Sequence, residues 1–546
     1  MKELGEIMSN IVRGTLLLTG ASFLSKFLGM IYVIPFNELV GSRGGALYFY
    51  AYNPYSILIS ISTVGVPLAV SKFVARYNSL GDYATSMRMF RTGITIMTIT
   101  GLLAFLTLYF SAESLAKQII TDDNLGNTVE DVKMVIRMVS YALLLIPAMS
   151  MVRGFFQGNE SMGPTAVSQV IEQIVRIAFV LISAYVVINI LDGTIASAVG
   201  FATFAAFIGA LASCFVLAVY WWKRRKNFHK HIVKQKVHYE LSTYDLIKEL
   251  FQYAGPFVLV GIAIPLYQGV DQFTFNRAMV ELGKGEIAEL AFATINLYGH
   301  KLIIIPVTLA TGLSLAIIPV LTKSFTNRSF VELNKQINQA LQIIFILVIP
   351  AVVGLAMLSY EAYGSIYGLK DIAITSKLLA WSTPLSLLFA LFTVSAAILQ
   401  GINEQRYSVV SLLVGFSIKL LTNVPLIHLF GEVGSIIATC LAVGTAVIIN
   451  FVCIKRSINF SFKETFKRTA LVIILTAIMA IVLFVLKFII GLMVAYETSR
   501  ISTFIVLLLT VSIGGLVYLW LCYQTTLLER VFGSRVSRLN RFIRKI

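Results

Sequence analysis

The 546-residue sequence contains few charged residues and few cysteines. Charged residues make up 13% of the chain and hydrophobic residues 57%, whereas an average soluble domain is roughly 25% charged. Together with a mean hydropathy of +0.83, these values exclude an ordinary soluble domain. The four cysteines have no metal-binding or redox spacing, so each is expected to act as a small apolar side chain.

Sequence patterns of catalysis and of ATP binding are also missing. No Gly-x-x-x-x-Gly-Lys-Ser/Thr loop is present, which argues against ATP as the direct energy source. We find no nucleophile–histidine or paired-carboxylate arrangement in a supporting context. His229, His231 and His238 lie in one basic loop, where a solvated loop is favoured over a metal site. The sequence therefore predicts that the protein is not an enzyme and holds no cofactor, and that the membrane potential or a monovalent coupling ion supplies the energy.

What is present is a succession of about fourteen long apolar segments. Because about 20 apolar residues span the hydrocarbon core and lipid cannot satisfy free backbone groups, each segment is predicted to be a transmembrane helix. The predicted spans are 11–36, 46–75, 92–110, 138–156, 164–190, 195–222, 251–275, 292–321, 338–360, 378–399, 407–429, 434–454, 469–493 and 501–523.

Positive charge alternates between the loops. Starting at the N-terminus, alternate loops hold 30 of the 44 Lys and Arg residues, the intervening loops hold 9, and 5 lie within apolar segments. This pattern satisfies the positive-inside rule and predicts that both termini are cytoplasmic. The net charge of +17 comes from loops beside the membrane, so anionic lipid headgroups are the expected contact, and nucleic acid is not.

A basic run, Lys223-Arg224-Arg225-Lys226, opens a linker near the middle of the chain. We divide the sequence into an N-terminal lobe (1–222), a cytoplasmic linker (223–250), a C-terminal lobe (251–455), two further spans (456–525) and a basic tail (526–546). The spacing of apolar and basic residues in the tail predicts an amphipathic helix on the inner leaflet.

The two lobes resemble each other. Gln157-Gly158 closes the fourth span of the first six-helix unit, and Gln400-Gly401 closes the fourth span of the second. The second helices also match, through Val64–Val70 and Thr311–Ile317. Because each unit has an even number of helices, the repeats run parallel, an arrangement that places a substrate site at the repeat interface near the membrane midplane. The predicted fold class is an all-α polytopic membrane protein of two parallel six-helix lobes plus two C-terminal helices.

Several cations lie inside the predicted spans, where charge is costly and marks function. Counted from the helix ends at 1.5 Å per residue, Lys26, Arg176, Lys301 and Lys419 come out near mid-depth. Arg13 is a fifth candidate, although it lies near a helix end, where its side chain can also reach the interface. The same end position predicts that Lys487, which is not a candidate, snorkels.

Carboxylates within the spans are fewer. Glu172 lies one turn before Arg176, and we expect this i,i+4 pair to neutralise the arginine. Asp271 could balance Arg277 or Lys301, or bind a coupling ion. A membrane interior rich in cations and poor in carboxylates favours an anionic substrate over a cationic drug.

Four motifs carry a resemblance to a known family. They are Arg13-Gly14-Thr15 with Ser25-Lys26-Phe27-Leu28-Gly29; Val70-Ser71-Lys72-Phe73-Val74; Arg153-Gly154-Phe155-Phe156-Gln157-Gly158 continuing to Gly163-Pro164-Thr165-Ala166-Val167-Ser168-Gln169; and Ala397-Ile398-Leu399-Gln400-Gly401-Ile402-Asn403. The chain resembles the MurJ-type lipid II flippases of the multidrug/oligosaccharidyl-lipid/polysaccharide (MOP) exporter superfamily. The resemblance is greatest to the Gram-positive branch that includes YtgP and SpoVB.

This resemblance implies a MATE-like, V-shaped bundle in the bacterial plasma membrane that works by alternating access. The implied cargo is lipid II, an undecaprenyl-diphosphate-linked peptidoglycan precursor whose diphosphate binds cationic residues of a central cavity. Lys26 and Lys301 match arginines of the family in the first and eighth helices. Both are lysines here, and lysine binds phosphate as a point charge without the bidentate geometry of arginine. The family's second-helix arginine falls near Ile57–Leu58, which is apolar here, so the resemblance implies that this charge comes from elsewhere, with Arg176 and Lys419 as candidates.

Three alternatives stay open at this point. The cargo could be another undecaprenyl-diphosphate-linked glycan, such as a teichoic acid, capsule or spore cortex precursor. A cation-coupled multidrug antiporter would need Glu172 or Asp271. A non-transporting scaffold for the cell-wall synthesis machinery would need loops such as 223–249 instead of the intramembrane cations.

Overall fold

The computed structural model describes residues 17–18, 20–63, 66–121, 126–235, 242, 244, 258, 261–493 and 499–532. Every regular element in these residues is helical. The chain forms two compact units, Met1–Glu289 and Leu290–Ile546. Arg13 and residues 533–546 of the predicted amphipathic tail lie outside the described residues.

The first unit contains nine named helices and the start of a tenth. They are α1 (20–31), α2 (Val33–Thr63), α3 (Val66–Ser79), α4 (Tyr83–Ile119), α5 (Val129–Ser140), α6 (Ile146–Gly158), α7 (Met162–Tyr185), α8 (Ile195–Lys234), α9 (Ala263–Glu281) and α10 (Gly285–Ala293), which crosses into the second unit. Within α2 the helical path breaks at Gly41, whose φ of 64° suits glycine because it has no Cβ.

The second unit continues with ten helices. They are α11 (Gly299–Thr326), α12 (Phe330–Met357), α13 (Ser359–Tyr367), α14 (Ile372–Ser382), α15 (Pro384–Gly401), α16 (Gln405–Phe430), α17 (Gly434–Ile458), α18 (Lys463–Met493), α19 (Arg500–Gln524) and α20 (Leu527–Phe532). A π-helical segment, Thr294–Tyr298, joins α10 to α11.

Eleven helical stretches among the described residues are long and apolar enough to cross a membrane. One of them, Gly20–Ile61, includes the break at Gly41, and another, Gln405–Ile458, includes both α16 and α17. The all-helical, multi-pass fold class is confirmed. The count of fourteen spans stays a prediction.

Side-chain caps mark where helices begin at the water-facing loops. Asp82 accepts a hydrogen bond from the Thr85 backbone at the start of α4. Thr128 and Asp131 form a reciprocal capping box at the start of α5. These bonds satisfy backbone N–H groups that have no partner within the helix.

The predicted linker begins inside a helix. α8 runs for 40 residues to Lys234, so the basic run that opens at Lys223 continues the membrane helix and does not form a loop. At 1.5 Å per residue α8 is about 60 Å long, twice the thickness of the hydrocarbon core. Its basic end therefore extends beyond the membrane, and the part of the linker from 236 to 250 is almost wholly outside the described residues.

The boundary between the compact units falls later in the chain than the linker. α9 belongs to the first unit, where Gln272 donates to the Tyr50 carbonyl (2.9 Å) and Asn276 donates to the Tyr50 hydroxyl (2.6 Å). These buried bonds fasten α9 to α2. The division at 223–250, which rests on the internal repeat, stays a prediction.

One helix contact recurs in both units and accounts for the Gln-Gly motif of the repeat. A Cβ on Gly158 of α6 would lie 2.7 Å from the Ser71 carbonyl oxygen of α3. A Cβ on Gly401 of α15 would lie 2.8 Å from the Leu321 Cβ of α11. Glycine is therefore required at each position because the fourth predicted helix of each lobe packs directly on the second.

The two C-terminal helices pack on α12 of the second unit. Val472, Leu475, Met479 and Leu483 of α18 form one buried cluster with Tyr518 and Cys522 of α19 and Ile346 of α12. Tyr518 also donates a hydrogen bond to the Ile346 carbonyl (2.9 Å). The opposite side of α18 exposes large apolar side chains such as Phe484 (67% exposed), as expected of a helix that faces lipid.

Candidate functional site

Lys26 is exposed on α1, half-way along the first predicted span. Neighbouring positions of α1 pack on α7: Ser25 donates to the Gln169 carbonyl (3.4 Å), and a Cβ on Gly29 would lie 3.0 Å from Gln173 Nε2. Among the residues that the structure describes, Lys26 has neither a hydrogen bond nor an ion pair. A lysine left in this state inside a membrane is available to an anionic ligand.

Arg176 of α7 lies against a group of tyrosines from the first two predicted spans. Its Nη2 donates to the Tyr48 hydroxyl (3.2 Å), and its guanidinium carbon lies 5.5 Å from the Tyr52 ring centre. Tyr48 stacks on Tyr52 (5.6 Å) and shares a 3.2 Å hydrogen bond with Tyr32. We call Arg176, Tyr32, Tyr48 and Tyr52 the arginine–tyrosine cluster. Its hydroxyls and ring faces hold the guanidinium in place without neutralising its charge.

The expected ion pair between Glu172 and Arg176 is wrong. Glu172 Oε2 instead lies 2.7 Å from Nη2 of Arg153 in α6. The Arg153 guanidinium also donates to Ser168 of α7 (3.0 Å) and to Ser213 of α8 (2.8 Å). Three helices thus converge on Arg153, whose guanidinium donates to one carboxylate and two hydroxyl oxygens.

Lys419 does not line a cavity surface. It is fully buried in α16, and its Nζ donates to the Ser435 carbonyl (2.8 Å) and the Thr439 hydroxyl (2.7 Å) of α17. The structure therefore removes Lys419 from the predicted set of substrate-binding cations. Its ammonium joins two adjacent helices.

The prediction that Lys487 snorkels to the membrane interface is wrong. Its Nζ lies 2.9 Å from Glu361 Oε1 and donates to the Met357 carbonyl (2.9 Å). Glu361 in α13 has no exposed surface, so the carboxylate of this ion pair is fully buried. The pair fixes α18 to α13.

Lys301 lies in α11 of the second unit and is half-buried. The π-helical segment Thr294–Tyr298 ends three residues before it, and such segments occur often at functional sites. The adjacent His300 ring packs edge-on against Phe389 (6.4 Å). The contact with substrate that the family resemblance implies for Lys301 stays a prediction.

Asp271 is buried in α9, with 3% of its surface exposed. Arg277 pairs with Glu281 (3.0 Å) one turn later, so the first of the alternatives left open for Asp271, a balance with Arg277, is not formed. A balance with Lys301 and the binding of a coupling ion stay predictions.

Two parts of the site were absent from the sequence predictions. Tyr48, Tyr52 and Tyr55 recur at helical spacing, a signal that could have identified an aromatic face directed at one neighbour. Arg153 stood at the end of its apolar segment and was counted with the loop. Only the packing of α6 on α7 and α8 brings Arg153 to Glu172, Ser168 and Ser213.

These helices and cations define a multi-pass α-helical membrane protein that keeps positive charge in its spans. A family model described as "Polysaccharide biosynthesis protein" matches residues 11–325. The lipid II flippase MurJ of Bacillus subtilis (strain 168) is 45% identical to the chain over 97% of this chain and 98% of that protein. The chain therefore belongs to the polysaccharide biosynthesis protein family, in the group that includes this MurJ, and the resemblance found in the motifs is confirmed.

Solved structures share the fold. A lipid II flippase MurJ in an inward closed conformation matches with a TM-score of 0.66 at 18% identity, over 94% of this chain and 99% of that one. An inward-facing multidrug resistance MATE family transporter of the MOP superfamily matches with a TM-score of 0.62 at 16% identity, over 80% and 94%. The MOP-like fold class is thereby confirmed.

Proposed function

We propose that this protein is a flippase that moves lipid II from the inner to the outer leaflet of the bacterial plasma membrane. The observation that carries the proposal is the 45% identity to a lipid II flippase over nearly the whole of both chains. The exposed, unpartnered Lys26 supports it, because the cargo carries a diphosphate that must cross the hydrocarbon core.

In this proposal Lys26 binds the diphosphate, and Lys301 of the second unit binds it at another stage of an alternating-access cycle. Each lysine acts as a point charge, which attracts phosphate without fixing its orientation. The polyprenyl tail stays in lipid throughout. The inside-negative membrane potential favours outward movement of an anion by about 2.3 kcal/mol per charge per 100 mV.

The alternation of loop charge supports a topology with both termini in the cytoplasm. In that orientation the basic end of α8, which includes Lys223 and Arg224, contacts the anionic headgroups of the inner leaflet. Contact with the cell-wall synthesis machinery is a further expectation of this function.

The test is exposure of lipid II on cells depleted of their own flippase. We compare the wild-type chain, Lys26→Ala and the control Lys370→Ala, which removes an exposed lysine from a turn. We expect exposure to be restored by the wild type and the control but not by Lys26→Ala. Immunoblotting and detergent stability confirm that all three are folded and inserted.

Each alternative result is informative. Restoration by all three proteins keeps the cargo and discards Lys26 as the binding residue. Restoration by none, with the proteins folded in the membrane, excludes lipid II and moves the assignment to another undecaprenyl-diphosphate-linked glycan.

A further inference from the structure

The guanidinium of Arg176 is held in place but left with donors to spare. Of its five N–H groups, one donates to Tyr48, and the buried Nε has no partner. Among the described residues no carboxylate lies within ion-pair distance of Arg176, because the nearby Glu172 is bound by Arg153. A planar, fixed and uncompensated guanidinium is suited to bidentate binding of a phosphoryl group.

The contacts also locate Arg176 relative to Lys26 within the first unit. α1 packs on α7 at Gly29, opposite Gln173, one turn before Arg176. Tyr32, the residue that follows α1, shares a hydrogen bond with Tyr48, and the Tyr48 hydroxyl accepts from Arg176. Lys26 and Tyr32 are six residues apart, so the backbone of Tyr32, whose hydroxyl belongs to the arginine–tyrosine cluster, lies about 9 Å beyond that of Lys26 along the helix axis. This direction leads toward the end of α1 that loop charge predicts to be the outer one.

We propose that Arg176 is a second binding position for the diphosphate, occupied after Lys26 as the headgroup moves outward. The proposal rests on the proposed function and deepens it. Lys26 captures the diphosphate by charge alone, and Arg176 then receives it in an oriented, bidentate contact. Two successive positions let the anion leave the first without entering apolar surroundings, which would be costly.

Arg176 also differs from the other predicted substrate cations. Lys419 is fully buried in α16 and bonds to Ser435 and Thr439 of α17. Arg176 is the one guanidinium among the predicted substrate cations that lie in the described residues.

The test separates binding from transport. Purified wild type, Lys26→Gln, Arg176→Gln and Arg176→Lys are titrated with undecaprenyl diphosphate and with lipid II, and the same variants are assayed for lipid II exposure in flippase-depleted cells. We expect Arg176→Gln to bind both probes within about threefold of wild type while exposure falls at least tenfold. Lys26→Gln should lose both binding and exposure.

The conservative variant tests whether Arg176 is merely structural. Arg176→Lys keeps the positive charge but loses the planar contact with Tyr48 and Tyr52, so we expect exposure between wild type and Arg176→Gln. Equal losses in Arg176→Lys and Arg176→Gln, accompanied by equal losses of thermal stability, would indicate a structural role and overturn the proposal.

Three further outcomes also overturn it. If the Arg176→Gln protein exposes lipid II to within twofold of the wild-type level, Arg176 is not needed for transport. Weakened binding of lipid II but not of undecaprenyl diphosphate assigns Arg176 to a carboxylate of the peptide and not to the diphosphate. If Arg176→Gln loses probe binding and lipid II exposure to the same extent, Arg176 is the position that first captures the diphosphate. Failure of the wild type to expose lipid II refutes the proposed function instead.

Discussion

Arg153 Nη2 lies 2.7 Å from Glu172 Oε2, and this ion pair decides the state of a second arginine one turn away. Because Glu172 is bound by Arg153, it does not neutralise Arg176, whose Nη2 donates to the Tyr48 hydroxyl instead. The Arg153 guanidinium therefore joins α6, α7 and α8, whereas the charge of the Arg176 guanidinium is not compensated by a carboxylate. Two arginines that look alike in an apolar sequence thus have different roles.

The first prediction concerns this pair. Glu172→Gln leaves Arg153 partly buried without a counter-ion, and we expect it to lower the free energy of unfolding by about 2 kcal/mol. This is less than for a fully buried pair because the side chains are 16% and 20% exposed. The measurement is thermal unfolding in detergent. The double variant Arg153→Gln/Glu172→Gln should recover part of the loss.

Lipid II exposure by Glu172→Gln should stay near that of the wild type once expression is matched. Complete loss of exposure at normal thermal stability would contradict this expectation. It would instead support a coupling-ion role for Glu172.

The second prediction concerns Lys419. Lys419→Met removes two hydrogen bonds to α17, and we expect a loss of about 1–3 kcal/mol in stability with transport retained. Thr439→Val, which removes one of the bonds with little change of shape, should cost less. Both are measured by thermal unfolding and by lipid II exposure. Abolished transport in a stable Lys419→Met protein would return Lys419 to the substrate site.

The third prediction concerns attachment of the C-terminal helices. Lys487→Met removes the ammonium that pairs with the fully buried carboxylate of Glu361, which should cost about 3 kcal/mol, at the low end for a buried pair because Lys487 is 25% exposed. Unfolding of Lys487→Met/Glu361→Gln should require more energy than unfolding of the single lysine variant. A snorkelling lysine makes no such pair, so a Lys487→Met protein as stable as wild type would show that the pair is not formed.

The fourth prediction concerns the glycines of the repeat. Gly158→Ala and Gly401→Ala each place a Cβ within 3 Å of a neighbouring helix, and we expect each to destabilise its unit by about 1–3 kcal/mol. Gly163→Ala is the matched control, because nothing lies within 4 Å of its Cβ position. Thermal unfolding of the three variants provides the comparison. A control that is as unstable as the other two would show that helix contact is not the cause.

Helix class and membrane character followed directly from the sequence. A helix satisfies its own backbone within lipid, so long apolar runs that include Tyr83–Ile119 and Phe330–Met357 specify their local structure without help from neighbours. The Gln-Gly repeat was also visible in the sequence, although its cause is a contact: Gly158 meets α3, and Gly401 meets α11. The exact helix ends were less certain, as the extension of α8 to Lys234 shows.

The sequence by itself determined that this protein crosses the membrane many times, that it resembles a family of lipid-linked glycan exporters, and that cations such as Lys26 and Arg176 lie within its spans. Only the tertiary structure decided which of these charges are compensated. Lys419 and Lys487 find partners on neighbouring helices, while Glu172 is bound by Arg153 and leaves Arg176 uncompensated. The physical reason is that charge pairing in an apolar interior depends on distances of a few ångströms between helices far apart in the sequence.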